Sequence, residues 1–252
     1  MEVEPNKKAA PDLTLFRWIE SQTSDRDREA LLSMTEVVCK VTPTYRYLEV
    51  GSHLGGSLQP HVLDARCTKI YSIDPRPQEQ PDERWASNYK YEGNSTERML
   101  ALLSAIPGAN TGKIRTFEAC SWDLSPSSIP EPIDFAFIDG EHTNTAVVRD
   151  FIAVSRFLSP AAILAFHDCQ ATHKAFLEIS RILRRERKAH HFQYFPQSDV
   201  AAIVFGSTRL TELLRNSGWK KGLPHSQIKQ FLKKHLPSLV SAVKRARNRR
   251  PA

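Results

Sequence analysis

With 252 residues, 40% of them apolar and 25% charged, the chain suits one sizeable α/β domain with appendages and excludes collagen-like or low-complexity sequence. No apolar stretch nears the ~20 residues of a membrane helix, Met1–Lys8 lacks a secretory apolar core, and four scattered cysteines without a CxxC pair point to a reducing cytoplasm rather than a disulfide or zinc scaffold. The net charge of +7 is misleading as a nucleic-acid signal: eleven of the 35 basic residues and none of the 28 acidic ones follow Glu212, so residues 1–212 carry −4 and polyanion contact belongs to the C-terminal end.

Residues 1–44 read as a polar lead-in followed by a helical cap. A short helix is expected around Leu13–Ile19, then a longer one capped by Ser24 with Leu31, Met34, Val37 and Val38 on one face. From Tyr45 short apolar runs alternate with helical stretches. Strands are predicted at Tyr45–Val50, Lys69–Ile73, Lys113–Phe117, Ile133–Ile138 and Ala161–Phe166. Helices are predicted at Leu58–Ala65, Thr96–Ala105, Thr145–Leu158 and Lys174–Glu186. Two further strands, His191–Phe195 and Val200–Phe205, lie too close together for a parallel crossover and predict an antiparallel hairpin. The fold class is therefore α/β, a mostly parallel sheet covered by helices on both faces and ending in an antiparallel hairpin. Residues 45–206 form the domain, and 207–252 a basic C-terminal helical segment.

Ligands of such sheets bind at the carboxyl ends of the strands. Those ends carry Glu49, Gly51, Asp74, Asp139, His167 and Asp168, and polar groups at the ends of apolar runs mark a site. The first strand leads into Glu49-Val-Gly51-Ser52-His53-Leu-Gly55-Gly56-Ser57, an E-x-G-x-x-x-G turn. Its glycines permit a tight turn and close backbone approach, but His53 stands where a G-x-G-x-x-G dinucleotide loop has its second glycine. Asp74, 23 positions after Gly51, is placed to accept from a ribose diol.

Glu49-x-Gly51-x-x-x-Gly55, Ile73-Asp74, Phe137-Ile138-Asp139-Gly140-Glu141-His142 and Phe166-His167-Asp168 together resemble class I S-adenosylmethionine (SAM)-dependent methyltransferases. The likeness is to the small-molecule and sugar O-methyltransferase branch, and it covers Tyr45 to Gly206. The resemblance implies a seven-stranded, Rossmann-like sheet with SAM at the first two strand ends. Glu49 and the Gly51 turn, with Ser52, His53, Gly55 and Ser57, would hold the methionine portion, Asp74 the ribose, and Ser121 and Trp122 would border the adenine, with Asp139 a further cofactor-binding residue. It also implies a divalent metal, magnesium foremost, near the fourth and fifth strand ends.

The metal follows independently from charge. Asp139 and Asp168 end consecutive strands, and carboxylates one strand spacing of ~4.8 Å apart repel unless a proton or cation intervenes. Hard oxygen ligands suit Mg²⁺, Mn²⁺ or Ca²⁺, and His167 adds a nitrogen to the set Asp139, His167 and Asp168. An acceptor hydroxyl must lose its proton to accept a methyl group. His142 is the candidate base, with Glu141 as the alternative. The acceptor expected is a hydroxyl of a sugar, oligosaccharide or glycosylated metabolite, with specificity from the N-terminal helices and from Arg76–Asn94, which contains Trp85, Tyr89 and Tyr91.

Three other readings stand beside this one: a nicotinamide-linked oxidoreductase, opposed by the glycine spacing; a nucleic-acid methyltransferase, opposed by the acidic body; and a non-catalytic methyltransferase-like module with a polyanion-binding tail. The amphipathic spacing of Ile228, Phe231, Leu232, Leu236, Leu239, Val240 and Val243 among basic residues suits peripheral contact with an anionic membrane. A homo-oligomer is compatible with the sequence, which sets no oligomeric state.

Overall fold

The computed structural model describes residues 10–222 apart from Ala86. Ten strands and six α-helices follow in chain order: α1 (Asp25–Cys39), β1 (Tyr45–Val50), α2 (Gln59–Leu63), β2 (Cys67–Ile73), β3 (Glu79–Asp82), β4 (Ser87–Lys90), α3 (Thr96–Ser104), β5 (Ile114–Phe117), β6 (Ile133–Ile138), α4 (Asn144–Val154), β7 (Leu158–Phe166), α5 (His173–Arg185), β8 (His190–Tyr194), β9 (Ala201–Phe205), α6 (Thr208–Asn216) and β10 (Lys220–Lys221). The main sheet has the order β10-β8-β9-β7-β6-β1-β2-β5. Strands β5, β2, β1, β6 and β7 pair in parallel, and β9 inserts antiparallel between β7 and β8, as the short connection requires.

Side-chain alternation divides the core. On β6, Phe135 and Phe137 face a cluster with Leu31, Met34 and Val38 of α1, while Ala136 and Ile138 face Phe151 of α4 and Phe176 and Ile179 of α5. Both faces are thus covered, which is why β6 is buried along its whole length and apolar without a break from Phe135 to Ile138. Helix α1 begins where the sequence places it: Ser24 accepts from the Asp27 N–H, and the Asp27 side chain accepts from the Ser24 N–H. The short helix before it is a 3-10 turn over Leu13–Phe16, held by Asp12.

The structure departs from the expected layout at two places. Within 76–94 it forms a separate antiparallel hairpin, β3–β4, which Pro77, Pro81 and a run of charged residues disguise in the sequence. At the other end, residues 207–222 pack on the domain rather than starting a tail. Helix α6 lies against α1, Trp219 is buried with its indole N–H donating to Ser33 Oγ (2.9 Å), and β10 adds an eighth strand beside β8. The amphipathic segment from Ile228 onward lies outside the described residues. Among the described residues no helix is long and apolar enough to cross a membrane.

Candidate active site

The strand ends are joined in a row. The N–H of Gly51 donates to Ile73 O, that of Asp74 to Phe117 O, that of Asp139 to Val50 O and that of His167 to Ile138 O, all at 2.9–3.0 Å. Each strand thus runs one residue further along its neighbour, and the sheet register itself lines up Gly51, Asp74, Asp139 and His167 along one edge.

The turn after β1 is shaped by that closeness. Gly51 has φ +85°, and a Cβ there would meet the Asp139 carbonyl oxygen at 2.1 Å. Glu49 is fully buried one step below. Its carboxylate accepts from Tyr47 Oη (2.6 Å) and Ser57 Oγ (2.5 Å). Burial pushes its carboxyl up to about 8, against the pull of those two donors. Ser52 Oγ meets Ser72 Oγ at 2.5 Å, and the His53 N–H donates to Asp74 Oδ2 at 2.8 Å. Burial lowers the His53 imidazole below the usual histidine value.

Arg76, which the sequence does not mark, is the buried tie of this loop. Its backbone N–H donates to Asp74 Oδ1 (2.8 Å), and its guanidinium donates to the His53 carbonyl, Asn94 Oδ1 (3.2 Å) and Ser52 Oγ (3.2 Å). Asp74 is thereby held rigidly with its face to the cleft.

A cleft runs along this edge past Asp74, Tyr91, Ser121, Trp122, Glu141 and Asp150. Ser121 Oγ donates to Asp150 Oδ1 at 2.5 Å, and burial raises the Asp150 carboxyl to about 7. Trp122 is half-buried, with Arg149 over its ring at 5.1 Å. A second recess beyond Gly51 and His53 is bordered by Glu20, Gln22, Gly56, Ser57 and His142. The structure therefore brings Gly51, Ser52, His53, Ser57, Asp74, Ser121, Trp122 and Asp139 to two neighbouring recesses that share Gly51, His53, Tyr91 and Asp139, with Glu49 beneath them. Gly55 (φ +86°) packs against Met99 and Leu103 and shapes the turn from behind.

Beside the groove, Asp139, His142 and Asp168 each bring one ligand atom within 4.8 Å of the others. His142 Nε2 lies 3.0 Å from Asp168 Oδ2 and 3.6 Å from Asp139 Oδ1, and its Nδ1 lies 3.3 Å from Asp82 Oδ2. Both ring nitrogens of His142 thus face carboxylates, and it is His142 that joins Asp139 and Asp168 in a set that could hold a metal ion. His167 stands on the other side: Nδ1 lies 3.2 Å from Asp139 and 3.3 Å from Asp168, and Nε2 3.4 Å from Asp27. Burial alone would depress the His167 imidazole, but the Asp139 charge, with hydrogen bonds to Asp139, Asp168 and Asp27, holds it well above the usual value. Asp139 shows the converse. Burial would raise it, yet the His167 charge and bonds from both imidazoles hold it below the carboxylate range.

Asp27, Asp82 and Arg84 complete this cluster and carry no local signal in the sequence. Asp27 comes from the first turn of α1 and also accepts from Ser198 Oγ (2.7 Å) and the Asp199 N–H (2.8 Å). Asp82 and Arg84 come from the hairpin, whose backbone joins the site through the Glu83 N–H and the His142 carbonyl (3.0 Å). Four carboxylates, Asp27, Asp82, Asp139 and Asp168, thus meet two cations, Arg84 and protonated His167. Two formal negative charges remain, and with oxygen and imidazole donors in place the set fits a divalent metal.

Comparison with known proteins bears on the fold that carries this site. Residues 48–169, from β1 to just beyond Asp168, match a family model described as a methyltransferase domain. An uncharacterized protein of Acanthamoeba polyphaga mimivirus is 26% identical over 128 residues, 49% of this chain and 51% of its own, so the chain spans about half the length of that relative. A putative O-methyltransferase from Klebsiella pneumoniae superposes with a TM-score of 0.50 at 11% identity, over 77% of this chain and 90% of the other. An rRNA methylase from Streptococcus thermophilus does so with a TM-score of 0.50 at 13% identity, over 74% and 100%. At such identities the structural likeness is one of fold. Residues 48–169 thus match a methyltransferase domain, and the sheet that carries them has the fold of solved methyltransferases.

Proposed function

We propose that the protein transfers the methyl group of SAM to a hydroxyl of a sugar, oligosaccharide or glycosylated metabolite, with a divalent metal, magnesium foremost, beside the transfer site. The observation that carries this reading is the Asp139–His142–Asp168 cluster at the edge of the cofactor groove.

Glu49 and the Gly51–Ser57 turn hold the methionine portion, Asp74 the ribose, and Ser121 and Trp122 the adenine. Asp139, His142 and Asp168 hold the metal, and His167 fixes both carboxylates from behind. A bound divalent cation supplies acidification of a hydroxyl that coordinates it. Glu141, which lines the groove and whose Oε1 accepts from Thr143 Oγ1 (2.7 Å), is better placed than His142 to take the proton. The deprotonated oxygen attacks the methyl carbon as the carbon–sulfur bond breaks, leaving S-adenosylhomocysteine. Tyr89 and Tyr91, 4.9 Å apart on and beside β4, offer aromatic faces to a sugar ring.

The test is a transfer assay with methyl-labelled SAM and a panel of sugar nucleotides and glycosides, with Mg²⁺ or with EDTA. A labelled methyl ether formed only with metal is the expected product. Transfer to an amine, or transfer indifferent to EDTA, contradicts the proposal.

A further inference from the structure

Asp168 Oδ2 is crowded by nitrogen. Arg84 Nη1 donates to it at 3.0 Å, His142 Nε2 lies at 3.0 Å and His167 Nδ1 at 3.3 Å. The oxygen that Asp168 turns toward the other two cluster residues is therefore already held by a full positive charge from the hairpin. Arg84 is not free to drift away: its Nε donates to both Asp82 oxygens (3.0 and 2.9 Å) and its Nη2 to Asp82 Oδ2 (2.6 Å). The Asp82 side chain is fully buried, so this grip is not weakened by water. Only the Nη1 end reaches Asp168, and the Asp82 bonds do not depend on it. The Tyr89 ring, 5.7 Å from the guanidinium carbon, borders the space beside it.

A divalent cation next to Asp168 Oδ2 would face the Arg84 charge across one oxygen, and two cations so close in a half-buried site repel. Building on the metal reading above, we infer that Arg84 is the resident counter-cation of the acidic cluster and competes with the divalent metal for Asp168, so that hairpin β3–β4 sets the metal affinity of the site. Metal loading breaks the Nη1–Asp168 bond, and because the planar guanidinium stays fixed on Asp82 through Nε and Nη2, it is the Asp168 carboxylate that turns toward the metal.

The test is direct Mn²⁺ binding to the full-length protein, read as loss of the free-ion paramagnetic resonance signal, with no SAM or acceptor present. Arg84→Gln removes the competing charge and is expected to bind Mn²⁺ about tenfold or more tightly than the wild type. Arg84→Lys keeps a charge at the position and is expected to bind within about threefold of the wild type. Equal or weaker binding by Arg84→Gln, or equal tightening by both variants, overturns the inference while leaving the metal site standing. Absence of Mn²⁺ binding in all three proteins overturns the metal reading and this inference with it.

Discussion

Glu49 sits at the end of β1, fully buried, with its two carboxyl oxygens accepting from Tyr47 Oη and Ser57 Oγ. Its carboxyl, raised to about 8 by burial, is protonated at pH 7 in the free protein. An ammonium group arriving beside it favours the ionised form, so cofactor binding should expel a proton. Calorimetry of S-adenosylhomocysteine binding at pH 7 in buffers of different ionisation enthalpy should detect that release in the wild type and lose it in Glu49→Gln. Binding without proton release in the wild type contradicts the role. The same shift has a stability consequence. The folded state holds the Glu49 proton from about pH 4.5 to about 8 while the unfolded chain has released it, so stability falls as pH rises through that window. Urea denaturation should show a steeper fall in the wild type than in Glu49→Gln. At Gly51, a Cβ would combine a positive φ with a clash against a backbone oxygen. Gly51→Ala should cost about 3 kcal/mol or more in denaturant unfolding and abolish cofactor binding, and a loss below about 1 kcal/mol would contradict the fit. Glu49, Gly51, Asp74, Asp139 and Asp168 were legible in the sequence because each breaks an apolar run at a strand end. Arg84 and Asp27 were not: their partner Asp168 or His167 lies 84 or 140 positions away, and no local pattern joins them.

Helix α1 shows how one element serves stability and site together. Ser24 contributes its cap alone, whereas Asp27 closes the capping box, anchors the Ser198–Asp199 turn and faces the His167 imidazole. Ser24→Ala should therefore cost about 1 kcal/mol of unfolding free energy. Asp27→Ala should cost about 3 kcal/mol, because it removes at once the acceptor of the Ser198 hydroxyl, of the Asp199 N–H and of the His167 Nε2, all within the fold. Equal losses would show that Asp27 acts only as a cap. The cap was readable because Ser24 is followed by a helical apolar face. Hairpin β3–β4 was not, since Pro75, Pro77 and Pro81 and the acidic residues among them obscure any alternation; what stood out there was only its aromatic content. Its pairing with the His142 backbone gives that content a place over the groove.

At the scale of the whole molecule, the alternation of strands and helices sufficed for the parallel sheet and its antiparallel ending, because connection length decides strand direction. The eighth strand and buried Trp219 escaped notice inside a stretch dominated by basic charge. Since the Gly222 N–H still bonds the Phe192 carbonyl (2.8 Å), a chain ending at residue 222 keeps the sheet intact. Under the reading that residues 223–252 contact an anionic surface, that truncation should bind S-adenosylhomocysteine unchanged and lose sedimentation with phosphatidylserine vesicles. Undiminished sedimentation would assign the contact elsewhere. The central claim, that one sheet edge holds SAM beside a metal, is tested most directly by thermal unfolding with S-adenosylhomocysteine, with and without Mg²⁺, and NADH as the control. Ligand at a hundred times its dissociation constant adds ~2.7 kcal/mol, which should raise the midpoint by roughly 5–10 °C. The account predicts that rise with S-adenosylhomocysteine, none with NADH, and a further Mg²⁺-dependent rise that disappears in Asp168→Ala. No rise at saturating S-adenosylhomocysteine, or a rise with NADH alone, would contradict it.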